Sequence, residues 1–484
     1  MKLFGTDGIR GVVGEWPLTP EFFLKLGQAA GQALGTASQT TFVIGRDTRQ
    51  SAVMLQNALT AGLLSSNTSV IDVGVIPTSA ISWLVPHIQA EAGVVISASH
   101  NPVHENGIKF FGKTGQKLAE VMEECIEQLL FDPGFQPKPQ KELGRYVDGR
   151  SFSELYSQDL LREHSSNFLA GLTIVVDCAH GAASYVAPAI FQRAGANVVA
   201  VNASPTGLNI NFNAGSEYVR RSPEKFSALI EQHQANFGVA FDGDADRVIF
   251  VDEDGVLIDG DHMLGFLSRY LRGRGLLLKD SVVTTTMRNE GLKRFVEAAN
   301  LEMHETPVGD KYVVDKLLQL RDKGSQAGRI GLGGEQAGHI ILLDEGHVTG
   351  DGIRTALFVL DAYRESGSQT LAEFAAGVEK LPQIIASAYV GNGTRLDKQE
   401  LASMESELLE RFPGLLRANL RYSGTEPLFR IMLESEKSHT EQDLATIAAE
   451  ISRKVQETAN QPGGSLDILN CTRGGLLKLQ PQIK

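Results

Sequence analysis

Ser99 stands where the apolar run Val94, Val95 and Ile96 gives way to His100, Asn101 and Pro102, so a hydroxyl leaves a buried strand for a polar loop. Ser97 still belongs to the strand; Ser99 is the serine that can carry chemistry. Farther along, Phe237 to Val251 reads F-G-V-A-F-D-G-D-A-D-R-V-I-F-V, placing Asp242, Asp244 and Asp246 at alternate positions between two apolar runs. Such a loop can wrap a hard cation. Magnesium takes oxygen ligands in octahedral geometry and commonly joins carboxylates to phosphate oxygens, so the missing ligand would be a phosphate. Arg421 to Arg430, R-Y-S-G-T-E-P-L-F-R, supplies two guanidinium groups, the hydroxyls of Ser423 and Thr425, and Gly424, whose backbone N–H can approach an anion. Gly333 to His339, G-G-E-Q-A-G-H, adds a carboxylate and an imidazole on a glycine frame that can hold sugar hydroxyls.

Two other patterns compete for these residues. The aspartates begin like an EF-hand loop, with Glu253 in the last liganding position, but Arg247 stands where that loop requires glycine and the flanks read as strands. Gly107 to Thr114, G-I-K-F-F-G-K-T, satisfies the P-loop expression. A phosphate cradle must curl its N–H groups around an anion, whereas Ile108, Phe110 and Phe111 favour extended chain.

Strand, polar loop and helix recur at T-F-V-I-G-R-D from Thr41, T-I-V-V-D-C-A-H-G from Thr173 and S-V-V-T-T-T-M-R-N from Ser281, which suggests three related α/β units. Thr19 is placed to cap a helix that Pro20 opens, with Phe22, Phe23, Leu26, Ala29, Ala30 and Ala33 as its apolar stripe. At 484 residues the chain exceeds one hydrophobic core, and seams are expected at F-D-P-G-F-Q-P-K-P-Q from Phe131, after V-D-E-D-G at Val251, and at E-S-G-S-Q-T from Glu365. The composition, 42% hydrophobic and 21% charged, is that of a soluble globular protein. A formal charge of −13 disfavours nucleic acid or an anionic membrane as partner. The N-terminal M-K-L-F-G-T-D-G lacks the apolar core of a signal peptide, so a cytoplasmic location is expected. Cys125, Cys178 and Cys471 lack metal-site spacing and read as small buried hydrophobes.

Taken in order along the chain, the serine, carboxylate, sugar and phosphate segments resemble the α-D-phosphohexomutase superfamily. F-G-T-D-G-I-R-G (Phe4 to Gly11), G-L-N-I-N (Gly207 to Asn211), D-G-D-A-D-R and G-G-E-Q look most like its bacterial phosphoglucosamine mutase branch. The resemblance implies four domains around a central cleft, at about residues 1–150, 151–255, 256–372 and 373–484, the first three of related mixed α/β topology and the last a distinct α+β domain. It also implies an isomerase in which Ser99 carries a phosphoryl group and magnesium is held by Asp242, Asp244, Asp246 and Ser99. The reaction would interconvert a hexosamine 6-phosphate and 1-phosphate through a bisphosphate. By the same resemblance Lys109 is the general base candidate, for which its pKa must fall, with His339 and Arg10 assisting and His100 and Arg247 beside the phosphoserine. Glu335 and Gln336 would meet the sugar; Arg421, Ser423, Gly424, Thr425 and Arg430 the non-reacting phosphate; and the N–H groups from Gly309 to Lys311 the sugar phosphate. The chain is read as a monomer or homodimer. It departs from the pattern at Ala337, where serine is usual, and in the tail Q-P-G-G-S-L-D-I-L-N-C-T-R-G-G-L-L-K-L-Q-P-Q-I-K, which reads as a flexible or peripherally docked segment. The alternatives are a phosphomannomutase or phosphoglucomutase, or a sugar-phosphate sensor that has lost turnover.

Overall fold

Thr19 does cap the first long helix: its hydroxyl accepts the Phe22 amide, Pro20 opens the helix Pro20–Leu34, and Phe23, Leu26, Ala29 and Ala30 are buried. The architecture is taken from a computed structural model that describes residues 3–5, 7–35, 40–135, 142–321, 328–423 and 426–479. Four sheets organise those residues. The first runs Ile9–Val12, Glu105–Gly112, Ala92–Ile96, Thr40–Arg46, Thr68–Val75, Tyr146–Asp148. The second runs Leu257–Ile258, Val248–Val251, Phe237–Phe241, Thr173–Asp177, Asn197–Val201. The third runs Glu302–Thr306, Leu277–Thr285, Ile330–Gly334, Ile340–Leu343.

These three sheets share a four-strand pattern. In each, a central strand pairs in parallel with a neighbour on either side, and one of those neighbours turns back into an antiparallel hairpin. The hairpins are Ala92–Ile96 with Glu105–Gly112, Phe237–Phe241 with Val248–Val251, and Ile330–Gly334 with Ile340–Leu343. The serine, carboxylate and sugar loops are the turns of these hairpins, so one repeated topology presents three different chemistries. Parallel strands buried on both faces account for apolar runs such as Val43-Ile44 and Val175-Val176. One apolar core runs through all three units, including Trp83, Tyr156, Phe191 and Phe266.

The fourth sheet is antiparallel throughout, in the order Leu415–Tyr422, Leu428–Ser435, Gln383–Tyr389, Leu466–Asn470, with a separate core on the helices Lys398–Arg411 and Glu441–Thr458. It is the α+β unit. Leu257–Ile258 extends the second sheet by pairing with Val248–Val251. The helix Leu371–Ala375 packs Phe374 against Phe266, at 4.4 Å between ring centroids.

Of the two readings of the tail, the described residues follow the docked one. Leu466–Asn470 is a full strand of the fourth sheet, pairing with Gln383–Tyr389. Within the strand Asp467 pairs with Arg221 at 2.9 Å, and beyond it the Cys471 carbonyl accepts from Lys380 Nζ at 2.7 Å and the Gly475 amide donates to the Arg220 carbonyl at 2.8 Å. The segment from Asp467 to Gly475 therefore ties the fourth unit to the second. Cys178 and Cys471 are buried, Cys125 is partly exposed, and all three are free thiols. No helix of the described residues is long and apolar enough to cross a membrane.

Candidate active site

Ser99 leaves its strand in a left-handed conformation, with φ of +52° and 1% exposure, so its placement is imposed by neighbours. The fully buried Arg49 guanidinium donates to the carbonyls of Ser99, Asn101, Pro102 and Glu105. The Asn211 amide also donates to the Ser99 carbonyl, at 2.8 Å. Ser97 is not a spectator. Its hydroxyl accepts the Ser99 amide at 2.9 Å and donates to Asp47 at 2.7 Å. The result aims Ser99 Oγ across the cleft at Asp242 Oδ2, 2.6 Å away, with His100 Nδ1 at 3.3 Å. Gly243 permits that approach, because a Cβ there would stand 2.5 Å from the Ser99 carbonyl oxygen.

Asp242, Asp244 and Asp246 are all buried and offer carboxylate oxygens within 4.8 Å of one another. Burial, with the charges of Asp246 and Asp244, pushes the Asp242 carboxyl well above its usual range. Asp244 goes the other way. Burial opposes its charge, but Lys109 Nζ at 3.0 Å and the Thr78 hydroxyl at 2.7 Å hold it ionised. Asp244 Oδ1 and Asp246 Oδ1 are buried with no hydrogen-bond partner. Repelling oxygens, two of them unsatisfied, fit a divalent cation.

The basic residues converge from two walls. Arg10 lies opposite Gly107 across an antiparallel pair, and Lys109 is two residues along the same strand, so both project from one face of the first sheet. Burial alone would lower the Lys109 pKa, but Asp244, Asp7 at 3.1 Å and Asp246 at 3.5 Å raise it above the ordinary lysine value. It is held as an ammonium. His339 comes from the sugar loop, with Nε2 3.9 Å from Asp246 and Nδ1 3.9 Å from Glu335. Burial works against its charge, yet Asp246, Glu335 and Asp310 push it up to about 9. The Cδ2–Nε2 edge of the ring meets Gly350, where a Cβ would approach to 2.0 Å. Arg247, beside Asp246 at 3.9 Å, is raised against its burial by the Asp246 and Asp242 charges. His100 is different: burial, then the Arg247 charge, push it down to about 3, so it is neutral.

Glu335 faces this cluster and accepts the Gly309 amide at 3.1 Å. Gln336 does not face it. It is 4% exposed, and its amide donates to Asp261 at 2.8 Å and Gln383 at 2.6 Å, joining the third unit to the fourth. A position in a sugar motif did not reveal which way the side chain turns. The expected phosphate contact at Gly309 to Lys311 is similarly occupied: the Gly309 amide serves Glu335, the Lys311 amide serves Asp310, and Lys311 Nζ pairs with Glu120 at 2.8 Å.

In the phosphate segment Arg421 and Arg430 lie directly opposite on paired strands, with Ser387 next in the row. Like charges so placed destabilise a sheet unless an anion joins them. Burial and the Arg430 charge lower the Arg421 pKa, and its Nε is buried without a hydrogen bond, while Arg430 binds Ser387 and Glu426. Ser423 follows two residues after Arg421, just past the end of its strand, with its hydroxyl accepting the Glu426 amide at 3.2 Å. Gly424 and Thr425 lie outside the described residues.

Asp7, Thr78 and Asp310 complete the electrostatics, and the motifs gave no role to the side chain of any of them. Asp7 and Asp310 had a signal, lying in F-G-T-D-G-I-R-G and in the Gly309 to Lys311 segment; Thr78 had none. The P-loop pattern falls on the strand Glu105–Gly112, with Lys113 exposed in the turn after it. Lys113→Ala should therefore leave turnover within about twofold, whereas Lys109→Ala, removing a buried cation from the cluster, should cost about 10²- to 10³-fold. Steady-state rates of the two purified variants check this; ATP hydrolysis that vanished with Lys113→Ala would reverse the ranking.

Comparison with known proteins agrees with this arrangement. Phosphoglucomutase/phosphomannomutase alpha/beta/alpha domains I, II and III match residues 1–136, 152–255 and 259–381. The phosphoglucosamine mutase of Mycolicibacterium paratuberculosis is 42% identical over 454 residues, 93% of this chain and 98% of that protein. That of Moorella thermoacetica is 43% identical over 437 residues, 90% and 95% of the two chains. Among solved structures, a phosphoglucomutase/phosphomannomutase family protein from Burkholderia thailandensis superposes with a TM-score of 0.73 at 21% identity, covering 96% of this chain and 99% of its own. Aspergillus fumigatus N-acetylphosphoglucosamine mutase, in complex with GlcNAc-6P and magnesium, gives 0.65 at 17%, covering 94% and 96%. The chain belongs to the phosphoglucomutase/phosphomannomutase family, the α-D-phosphohexomutases, and is an isomerase of that class.

Proposed function

We propose that this enzyme interconverts glucosamine 6-phosphate and glucosamine 1-phosphate, with Ser99 as the phosphoryl carrier and a hexosamine bisphosphate as the intermediate. The observation that carries the reading is the 2.6 Å approach of Ser99 Oγ to a buried carboxylate cluster whose other side meets Lys109, and the substrate follows the relatives of 42% and 43% identity. Asp242, Asp244, Asp246 and the Ser99 oxygen would hold magnesium, which when bound neutralises charge on the transferring phosphoryl group.

The protein's own groups supply the rest. In the half-reaction that returns a phosphoryl group to Ser99, the bond from phosphorus to the sugar oxygen breaks as the bond to Ser99 Oγ forms. The Ser99 hydroxyl gives up its proton to Asp242, the carboxylate it already donates to, and the departing sugar oxygen takes a proton from Lys109 or His339, both of which carry one. Arg10 and Arg247 stabilise the charge that develops. The opposite half-reaction reverses each step, the sugar hydroxyl returning its proton to the same group. Arg421 and Arg430, with Ser423, would anchor the phosphate that is not reacting, in either orientation of the bisphosphate.

A coupled assay comparing glucosamine 6-phosphate, glucose 1-phosphate and mannose 1-phosphate, with magnesium and a trace of the matching bisphosphate, tests the substrate. The glucosamine phosphate should give the highest kcat/KM; a preference for mannose or glucose phosphate would reassign the enzyme. Ala337 lies partly exposed at the tip of the sugar hairpin. Ala337→Ser adds at most one neutral hydrogen bond, so the ratio of kcat/KM between glucosamine and glucose phosphates should change by about two- to tenfold. An inactive wild type restored by that serine would indicate a sensor.

A further inference from the structure

Lys117 belongs to none of the motifs, yet it touches both walls of the cleft. Its Nζ lies 2.6 Å from Asp7 Oδ1 and 2.6 Å from Asp310 Oδ2. Asp7 is on the first unit, 3.1 Å from Lys109 Nζ and hydrogen-bonded to Arg10. Asp310 is on the third, at the start of the helix Asp310–Leu320, and its Oδ2 is 4.0 Å from His339 Nδ1. Charges of alternating sign thus run from Lys109 through Asp7, Lys117 and Asp310 to His339, joining the proton-carrying groups of the two walls. A second bridge across this seam, Lys311 to Glu120 at 2.8 Å, involves a carboxylate 60% exposed and contributes little. Lys117 and Asp310 are 20% and 12% exposed, in a better position to hold geometry.

We propose that Lys117 is a positioning residue: it fixes the spacing between the Lys109–Arg10 pair and His339 on either side of the sugar, on the reading of Ser99 and its cluster given above. Without its charge, Asp7 and Asp310 would face each other across the seam, and either the walls part or Asp7 releases its hold on Lys109. The non-reacting phosphate is held by the fourth unit, so ground-state binding is not where the loss should fall.

The test compares Lys117→Met, which keeps the stem and removes the charge, with Lys117→Arg, Asp310→Asn and the Lys117→Met/Asp310→Asn double variant, in the full-length enzyme with magnesium and bisphosphate present. Lys117→Met should lower kcat about 100-fold with KM within about threefold, as for a misplacement of about 1 Å at the reacting groups. Lys117→Arg should recover most of that loss. The double variant should be no worse than the poorer single, because both break one bridge. Thermal melts accompany each rate. Wild-type kcat in Lys117→Met, a rise in KM with kcat unchanged, multiplied losses in the double variant, or activity lost only in step with the melting temperature would each overturn the proposal. A wild type inactive on glucosamine phosphate but active on another hexose phosphate overturns the substrate reading alone, and the same ratios are then read on that sugar.

Discussion

Ser99→Ala is expected to lower mutase turnover by about 10⁵-fold or more, the scale seen when an enzyme loses its nucleophile. Two other hydroxyls of the site are committed elsewhere, Thr78 Oγ1 to Asp244 and Ser97 Oγ to Asp47. Ser97→Ala should behave quite differently. It removes the acceptor for the Ser99 amide, which loosens a left-handed residue without deleting the reacting oxygen, so a loss of about two- to tenfold is expected. Initial rates of both purified variants decide between them. Turnover by Ser99→Ala near the wild-type rate would end the phosphoserine account.

The second large effect is at the carboxylates. Asp244→Asn should reduce turnover by about 10³-fold, since it takes a negative charge from the cation site and from the partner of Lys109. It should also weaken magnesium binding measured by calorimetry. Exhaustive chelation should abolish turnover yet leave the fold intact. Lys109, within 3.5 Å of Asp244 and Asp246, supplies an internal counter-charge that keeps the emptied cluster from repelling itself apart. A circular dichroism melt before and after chelation checks that half, and undiminished activity after chelation would contradict the whole.

The parts of this site that were legible in the sequence are those whose chemistry is local. Ser99, the aspartates and the sugar segment each occupy one hairpin turn, so residue type and spacing within a few positions describe them, as Thr19 and Pro20 describe their helix start. Interactions between residues far apart in the chain were not legible. Lys117 meets Asp7 across 110 positions of chain, and Asp310 lies on another unit altogether. The sign of the Lys109 shift depends on three carboxylates, two from the second unit and one from the N-terminal strand region, which outweigh burial. Gln336 shows the same limit on a smaller scale: its neighbours in sequence face the cleft, while its amide reaches Asp261 and Gln383. That the tail docks as a strand was not legible because L-D-I-L-N is too short to announce one, and its partner Gln383–Tyr389 is far away in sequence.

The most direct test of the account follows the phosphoryl group itself. Enzyme incubated briefly with magnesium and glucosamine 6-phosphate carrying an isotopically labelled phosphate is quenched, digested and analysed by mass spectrometry, with a parallel chase in unlabelled substrate. The label should appear on the peptide containing Ser99, localise to that hydroxyl, and pass on chase into glucosamine 1-phosphate at a rate compatible with kcat. Full turnover with Ser99 unlabelled throughout, or with the label on another residue, would contradict it.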